Sequence, residues 1–188
     1  MDSRRIQSAL ISVFNKEGLE PIIRLMHDMG IVMYSTGGTQ EYIESLEVPV
    51  VSVETITGYP SILGGRVKTL HPKVFGGILA MRNEDHLSQL AHFQIPSIDL
   101  VVVDLYPFEE TLASTDDESA IIEKIDIGGV SLIRAAAKNF KDVVVIGSRQ
   151  GYAALKDILG NNGITRMETR KKLAYEAFSV TARYDTLI

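Results

Sequence analysis

The stretch Ile98-Asp99-Leu100-Val101-Val102-Val103-Asp104-Leu105 decides the fold. Its middle is an unbroken aliphatic run with no polar alternation. A strand with one wet face alternates; a strand covered on both faces does not need to. Strands covered on both faces belong to parallel sheets flanked by helices.

The flanking sequence agrees. Residues 9–14 form another short apolar run, and residues 18–29 carry Leu19, Ile22, Ile23, Met26 and Met29 as one helical stripe. Pro21 falls in that helix's first turn, where no amide bond is lost, and Gly30 supplies a stop. Residues 31–34 read as a strand, followed by Ser35-Thr36-Gly37-Gly38-Thr39, a helix through Tyr42, Ile43 and Leu46, and a strand at 50–53. Further strands are expected at 74–81, where Gly76-Gly77 is a weakness, and at 143–146. Helices are expected at 83–93, 130–137 and 152–159. Thr115-Asp116-Asp117-Glu118 and Thr165-Arg166-Met167-Glu168 have the spacing of capping boxes opening two more. Residues 58–72, rich in glycine and proline, form a long loop of the kind compact domains keep for function. The alternation predicts one α/β domain over residues 1–188, a mostly parallel sheet flanked by helices.

Composition bounds the function. A formal charge of −5 argues against a general nucleic-acid binder, so any anion must meet a local cationic cluster. The chain has no cysteine, which removes disulfides, thiolate nucleophiles and thiolate metal sites. No apolar run approaches the roughly 20 residues of a membrane helix. The start Met1-Asp2-Ser3-Arg4-Arg5 does not read as a signal peptide, which makes the cytoplasm the default location.

Four stretches combine glycine with groups that bind anions or move protons. Thr36-Gly37-Gly38-Thr39 stands between a strand and a helix, where free amides and hydroxyls can meet a phosphate; a plain turn capped by Thr39 is the alternative. Ser12 and Lys16 end the first strand and would face the same crevice. In Gly64-Gly65-Arg66-Val67-Lys68-Thr69-Leu70-His71-Pro72, an extended backbone would project Arg66 and Lys68 to one side to meet one anion, while His71 favours a structural role before Pro72. Tyr106 closes the decisive strand, and Asp126 precedes Gly128-Gly129, either as a helix cap or as a base beside backbone donors. Lys138, at a helix end, serves the dipole by default.

From about Ala9 onward the chain resembles the inosine monophosphate cyclohydrolase domain, the amino-terminal half of bifunctional purine-biosynthesis proteins that also carry a transformylase. Residues 64–72, Leu105-Tyr106-Pro107-Phe108, and residues 125–139 with Asp-Ile-Gly-Gly and Arg-Ala-Ala-Ala-Lys-Asn carry the resemblance. It implies a methylglyoxal synthase-like three-layer sandwich and closure of 5-formamidoimidazole-4-carboxamide ribotide to inosine monophosphate and water, with no metal and no cofactor. It places Ser12, Lys16, Thr36, Gly38, Thr39, Arg66 and Thr69 on phosphate and ribose, and Lys68, Tyr106, Asp126 and Lys138 in the catalytic set. Lys68 and Tyr106 would hold the formyl oxygen, Asp126 would take the amide proton, and Lys138 would orient Asp126 or help water leave. A straight helix over residues 128–138 would hold Lys138 roughly 15 Å from Asp126, so sharing a site requires a break or a late start.

The resemblance implies a small nucleotide as ligand, with no nucleic acid and no membrane, and it leaves a homodimer open. If the chain is complete, a separate transformylase polypeptide supplies its substrate. Phe14 and Asp104 depart from the family pattern, where a small polar residue and asparagine are common. Two rivals share the fold: a methylglyoxal synthase acting on a triose phosphate, and a non-catalytic nucleotide sensor like the regulatory domain of carbamoyl phosphate synthetase.

Overall fold

Along the central strands successive side chains enter opposite cores. Ala9, Ile11, Leu100, Val102, Val144 and Ile146 pack on one face; Leu10, Val101, Val103 and Val145 pack on the other. This period of two, with every position apolar, is the pattern of a doubly covered sheet. The computed structural model describes residues 3–188. The reading of the Met1-Asp2 start lies outside the described residues.

In chain order the elements are β1 Arg4–Arg5, β2 Ser8–Ser12, α1 Glu20–Asp28, β3 Val32–Ser35, α2 Gly37–Ser45, β4 Val51–Ser52, α3 Val53–Thr57 and the first of two 3-10 turns, Leu63–Gly65, the second being Arg149–Gly151 just before α9. Then come α4 Pro72–Leu79, α5 Glu84–His92, β5 Leu100–Val103, α6 Phe108–Ser114, α7 Glu118–Glu123 and α8 Gly128–Lys138. The chain continues with β6 Val144–Ile146, α9 Tyr152–Gly160, β7 Ile164–Thr165 and α10 Met167–Leu187. Strands β4-β3-β2-β5-β6 form one sheet whose neighbours all pair in parallel. Helices α1, α2 and α9 cover one face, and α4, α8 and α10 the other. The fold is the expected three-layer α/β sandwich. A short antiparallel pair, β1 with β7, stands apart from it.

The strand order has one consequence for function. From β2 the chain steps outward to β3 and β4, then returns to place β5 on the other side of β2. Connections therefore leave the carboxyl ends of β2 and β5 in opposite directions and open a crevice between them, where ligands of such sheets bind.

Several local expectations are corrected. Residues 74–81 are not a strand: 74–79 belong to α4, and Ala80 is the extended residue that ends it. His71 caps this helix, its Nδ1 accepting the Lys73 N–H at 3.1 Å, and Pro72 occupies the first turn. Gly76 and Gly77 serve packing: a Cβ on Gly77 would stand 2.4 Å from the Pro96 carbonyl oxygen. The cap of α7 is Asp117, which accepts the Ser119 N–H, rather than Thr115. At α10 the cap position is Arg166, and the Thr165 hydroxyl donates to the Arg4 carbonyl and accepts from Arg170 instead. The sequence pattern predicts no element at β1, α3, α6 or β7. Among the described residues, no helix is long and apolar enough to cross a membrane.

Candidate active site

A cavity of about 540 Å³ lies at the carboxyl ends of β2, β3 and β5. That is within the range of small-molecule sites. Of the eleven residues singled out in the sequence, the fold brings ten to its wall: Ser12, Lys16, Thr36, Gly38 and Thr39, joined by the Lys68 ammonium, on one side, and Arg66, Thr69, Tyr106 and Asp126 on the other.

The first side is built on the start of α2. Its first amides have no partner within the helix, and the helix dipole adds partial positive charge. Gly37 turns the chain with a φ of 56°. A Cβ there would lie 3.1 Å from the Lys68 Nζ, and one on Gly38 would lie 3.9 Å from the Lys16 Nζ. Two ammonium groups thus stand against one helix start, an arrangement suited to a dianionic phosphate. The Lys16 ammonium is fixed by the carbonyls of Val13 at 2.7 Å and Phe14 at 3.0 Å. Burial lowers its pKa, partly opposed by Asp104 and Glu41. Lys68 has no hydrogen bond with the described residues and remains able to swing.

The threonines do less than expected as donors. The Thr36 hydroxyl donates to Glu54 at 2.9 Å, and the Thr39 hydroxyl donates to the Val13 carbonyl at 2.9 Å while accepting the Val13 N–H at 3.0 Å. Their protons are committed, so the binding capacity of this turn lies in its amides. Thr39 in return ties α2 to the end of β2.

Residues 58–72 cross from one side of the cavity to the other. Arg66 has helical backbone angles, so the extended geometry that would align it with Lys68 is absent. Arg66 reaches outward to an ion pair with Glu123 of α7, and Lys68 folds back to α2. The turn at Gly65 makes this possible: a Cβ there would be 2.6 Å from the Lys68 Cε. Thr69 touches the start of α8, its Oγ1 lying 3.3 Å from where a Cβ of Gly128 would be.

The far end holds the proton chemistry. Asp126 lies just before α8, its Oδ1 accepting the Gly129 N–H at 2.6 Å, and the Tyr106 and Val130 amides also stabilise the carboxylate. It therefore caps α8 and faces the cavity at once. Burial is the larger influence and raises its pKa, with the Asp104 charge acting the same way. A carboxylate made more basic than usual is suited to accept a proton. Burial also raises the Tyr106 pKa, keeping the phenol protonated as a donor. The Tyr106 ring meets Phe14 edge to face at 5.4 Å, and the Lys124 ammonium lies 5.5 Å from its centroid.

Lys138 is not brought to the cavity. The helix α8 runs unbroken from Gly128 to Lys138, and that lysine is exposed at its far end. Conversely, Asp104 was left out of the sequence assignment and is central. Its two oxygens accept the amides of Phe14, closely, and of Asn15 at 3.1 Å, joining the ends of β5 and β2 where the crevice opens. Its place one residue beyond a buried strand was the available signal. Gly37 and Gly65 stand in stretches singled out in the sequence without a role of their own, and Glu123 was missed; the contacts of Gly37 with Lys68 and of Glu123 with Arg66 are distant in sequence, and that of Gly65 with Lys68 needs the turn to be seen. Among the described residues no cluster of three His, Asp or Glu side chains could hold a metal ion.

These features define an α/β protein with a crevice at the switch point of a parallel sheet, lined by two lysine ammonium groups at a helix start. Residues 18–131 match the family described as MGS-like domain, and the chain belongs to it. Residues 136–188 match the family described as AICARFT/IMPCHase bienzyme. The bifunctional purine biosynthesis protein PurH of Bacteroides thetaiotaomicron is 55% identical over 100% of this chain, which spans 37% of that protein. The protein of the same name from Corynebacterium glutamicum strain R is 50% identical over 100% of the chain and 36% of its own length. The chain thus covers little more than a third of these relatives. A solved structure described as the crystal structure of ForH superposes with a TM-score of 0.83 at 33% identity, covering 96% of this chain and 93% of that one.

Proposed function

We propose that the cavity closes 5-formamidoimidazole-4-carboxamide ribotide to inosine monophosphate and water. One observation carries the reading: a helix start bearing the Lys16 and Lys68 ammonium groups and the half-buried, more basic than usual Asp126 carboxylate line a single cavity of mononucleotide size. The bifunctional purine-biosynthesis relatives support it.

The α2 amides with Lys16 grip the 5′-phosphate, and Ser12, Gly38, Thr39 and Thr69 line the path of the ribose, while Arg66 stays turned outward as long as its ion pair with Glu123 holds. Held this way, the carboxamide nitrogen stands near the formyl carbon, and proximity replaces a bimolecular encounter. Asp126 takes one carboxamide proton as the N–C bond forms. The formyl oxygen gains negative charge, and Lys68 and Tyr106 stabilise it as donors. Asp126 returns its proton to that oxygen and the formamido nitrogen gives up the second, so the C–O bond breaks, water leaves and the ring double bond forms. Lys138 has no part in this scheme from within the same chain. A transformylase activity is the reaction class that supplies the substrate.

The test is conversion by the purified protein, followed by absorbance as the purine ring forms. Tight binding of the ribotide without conversion would overturn the reading in favour of a nucleotide sensor.

A further inference from the structure

Tyr184 lies on α10, 58 residues beyond Asp126, and only 7% of its surface is exposed. Its hydroxyl accepts the Asp126 N–H at 2.8 Å and donates to the Lys124 carbonyl at 2.8 Å. One hydroxyl proton and one lone pair are thereby both used, on two backbone groups either side of Ile125. Those residues form the link between α7 and α8 that presents Asp126 to the cavity. The phenol ring is held in turn by Phe108, edge to face at 6.0 Å.

The anchors of Asp126 divide into two sets. The amides of Gly129, Tyr106 and Val130 act on its carboxylate, from the cavity side. Tyr184 acts on its backbone, from the far side. Without the second set the carboxylate could keep its bonds only while the 124–127 link stayed in place by itself. That link is short and its neighbours Ile122 and Ile127 are exposed. We propose that Tyr184 is a positioning residue for the reaction, its hydroxyl clamping the 124–127 backbone so that the Asp126 carboxylate stays beside its amide donors and aimed at the substrate.

This rests on the role given to Asp126 above, so the test begins with turnover by the unaltered protein; no conversion there overturns both. Given turnover, Tyr184→Phe keeps the ring and removes only the clamp. The expected result is a kcat lower by about tenfold or more, the scale on which outer-shell orienting bonds act, with KM little changed. The acid limb of the kcat/KM profile should move to lower pH, because a loosened Asp126 becomes better hydrated. The other charged or titrating groups near that carboxyl are Asp104, Tyr106, Tyr184 and, next to the last, Asp185. Phe108→Leu is the control: it loosens the ring packing but leaves both hydroxyl bonds, and should leave the acid limb in place. Wild-type kinetics in Tyr184→Phe, the same acid-limb shift in Phe108→Leu, or loss of the cooperative unfolding transition in Tyr184→Phe would each overturn the assignment. The last would make the hydroxyl a stability element.

Discussion

The Asp126 carboxylate sits so close over Gly129 that a methyl group on that glycine would fall 2.6 Å from its Oδ2. Gly129 has no positive φ, so backbone conformation does not demand glycine there. Space for the carboxylate does. Gly129→Ala should improve helix propensity in α8 by up to about 1 kcal/mol while pushing Asp126 out of line. We expect a melting temperature within a few degrees of wild type and a kcat reduced about tenfold or more. Unchanged kcat would show that the carboxylate's observed position is not the working one.

Lys16 and Lys68 approach the same helix start but are held differently, and their variants should separate kinetically. Lys16 is fixed by two carbonyls, so Lys16→Ala should raise KM through a weakened phosphate grip, with a smaller change in kcat. Lys68 has no such tether and can follow charge as it develops. Lys68→Ala should lower kcat about a hundredfold or more, with the fold intact by circular dichroism. A Lys68→Ala variant altered only in KM would move Lys68 to the phosphate.

The sheet was legible because its strands are buried on both faces, as at residues 98–105 and 143–146, and each crossover helix has a clear stripe. Residues 74–81 misled for the same reason: Val74 and Ile78 give an apolar run with two glycines, and only the contact of Gly77 with the 96–98 backbone explains why a helix needs them. The glycine turns of the site were legible because phosphate chemistry needs amides and cations together. The aim of each side chain was not. Arg66 and Lys68 diverge because Gly64 and Gly65 turn the chain with positive φ and Arg66 itself is helical rather than extended, and Tyr184 enters from a helix that no local motif links to Asp126.

Arg66 and Glu123 are both mostly exposed, so their ion pair should add little to stability. It does keep Arg66 from the cavity's ligand. Glu123→Gln should therefore leave the melting temperature unchanged and lower KM for the ribotide a few-fold, the effect shrinking at high salt as exposed charges are screened. An increase in KM would instead assign Glu123 to ligand contact.

Burial raises the pKa of Asp126, and of Asp104, above ordinary carboxyl values. A group whose folded-state pKa exceeds its unfolded value contributes stability that is fully present below the unfolded value and is lost as pH rises through the folded one. At neutral pH the ionised Asp126 therefore weakens the fold, and acidification through its raised pKa relieves that cost. Asp126→Asn keeps an oxygen for the Gly129 amide and removes the charge. Its melting temperature at pH 7 should equal or exceed that of wild type, with the difference narrowing as pH falls. Turnover should drop by about a hundredfold or more, as loss of a general base commonly does. In the wild type, kcat/KM should decline on the acid side at a pH above the roughly 3.9 of a free aspartate. A variant less stable at pH 7, or one that still turns over at the wild-type rate, would remove Asp126 from the role of buried base.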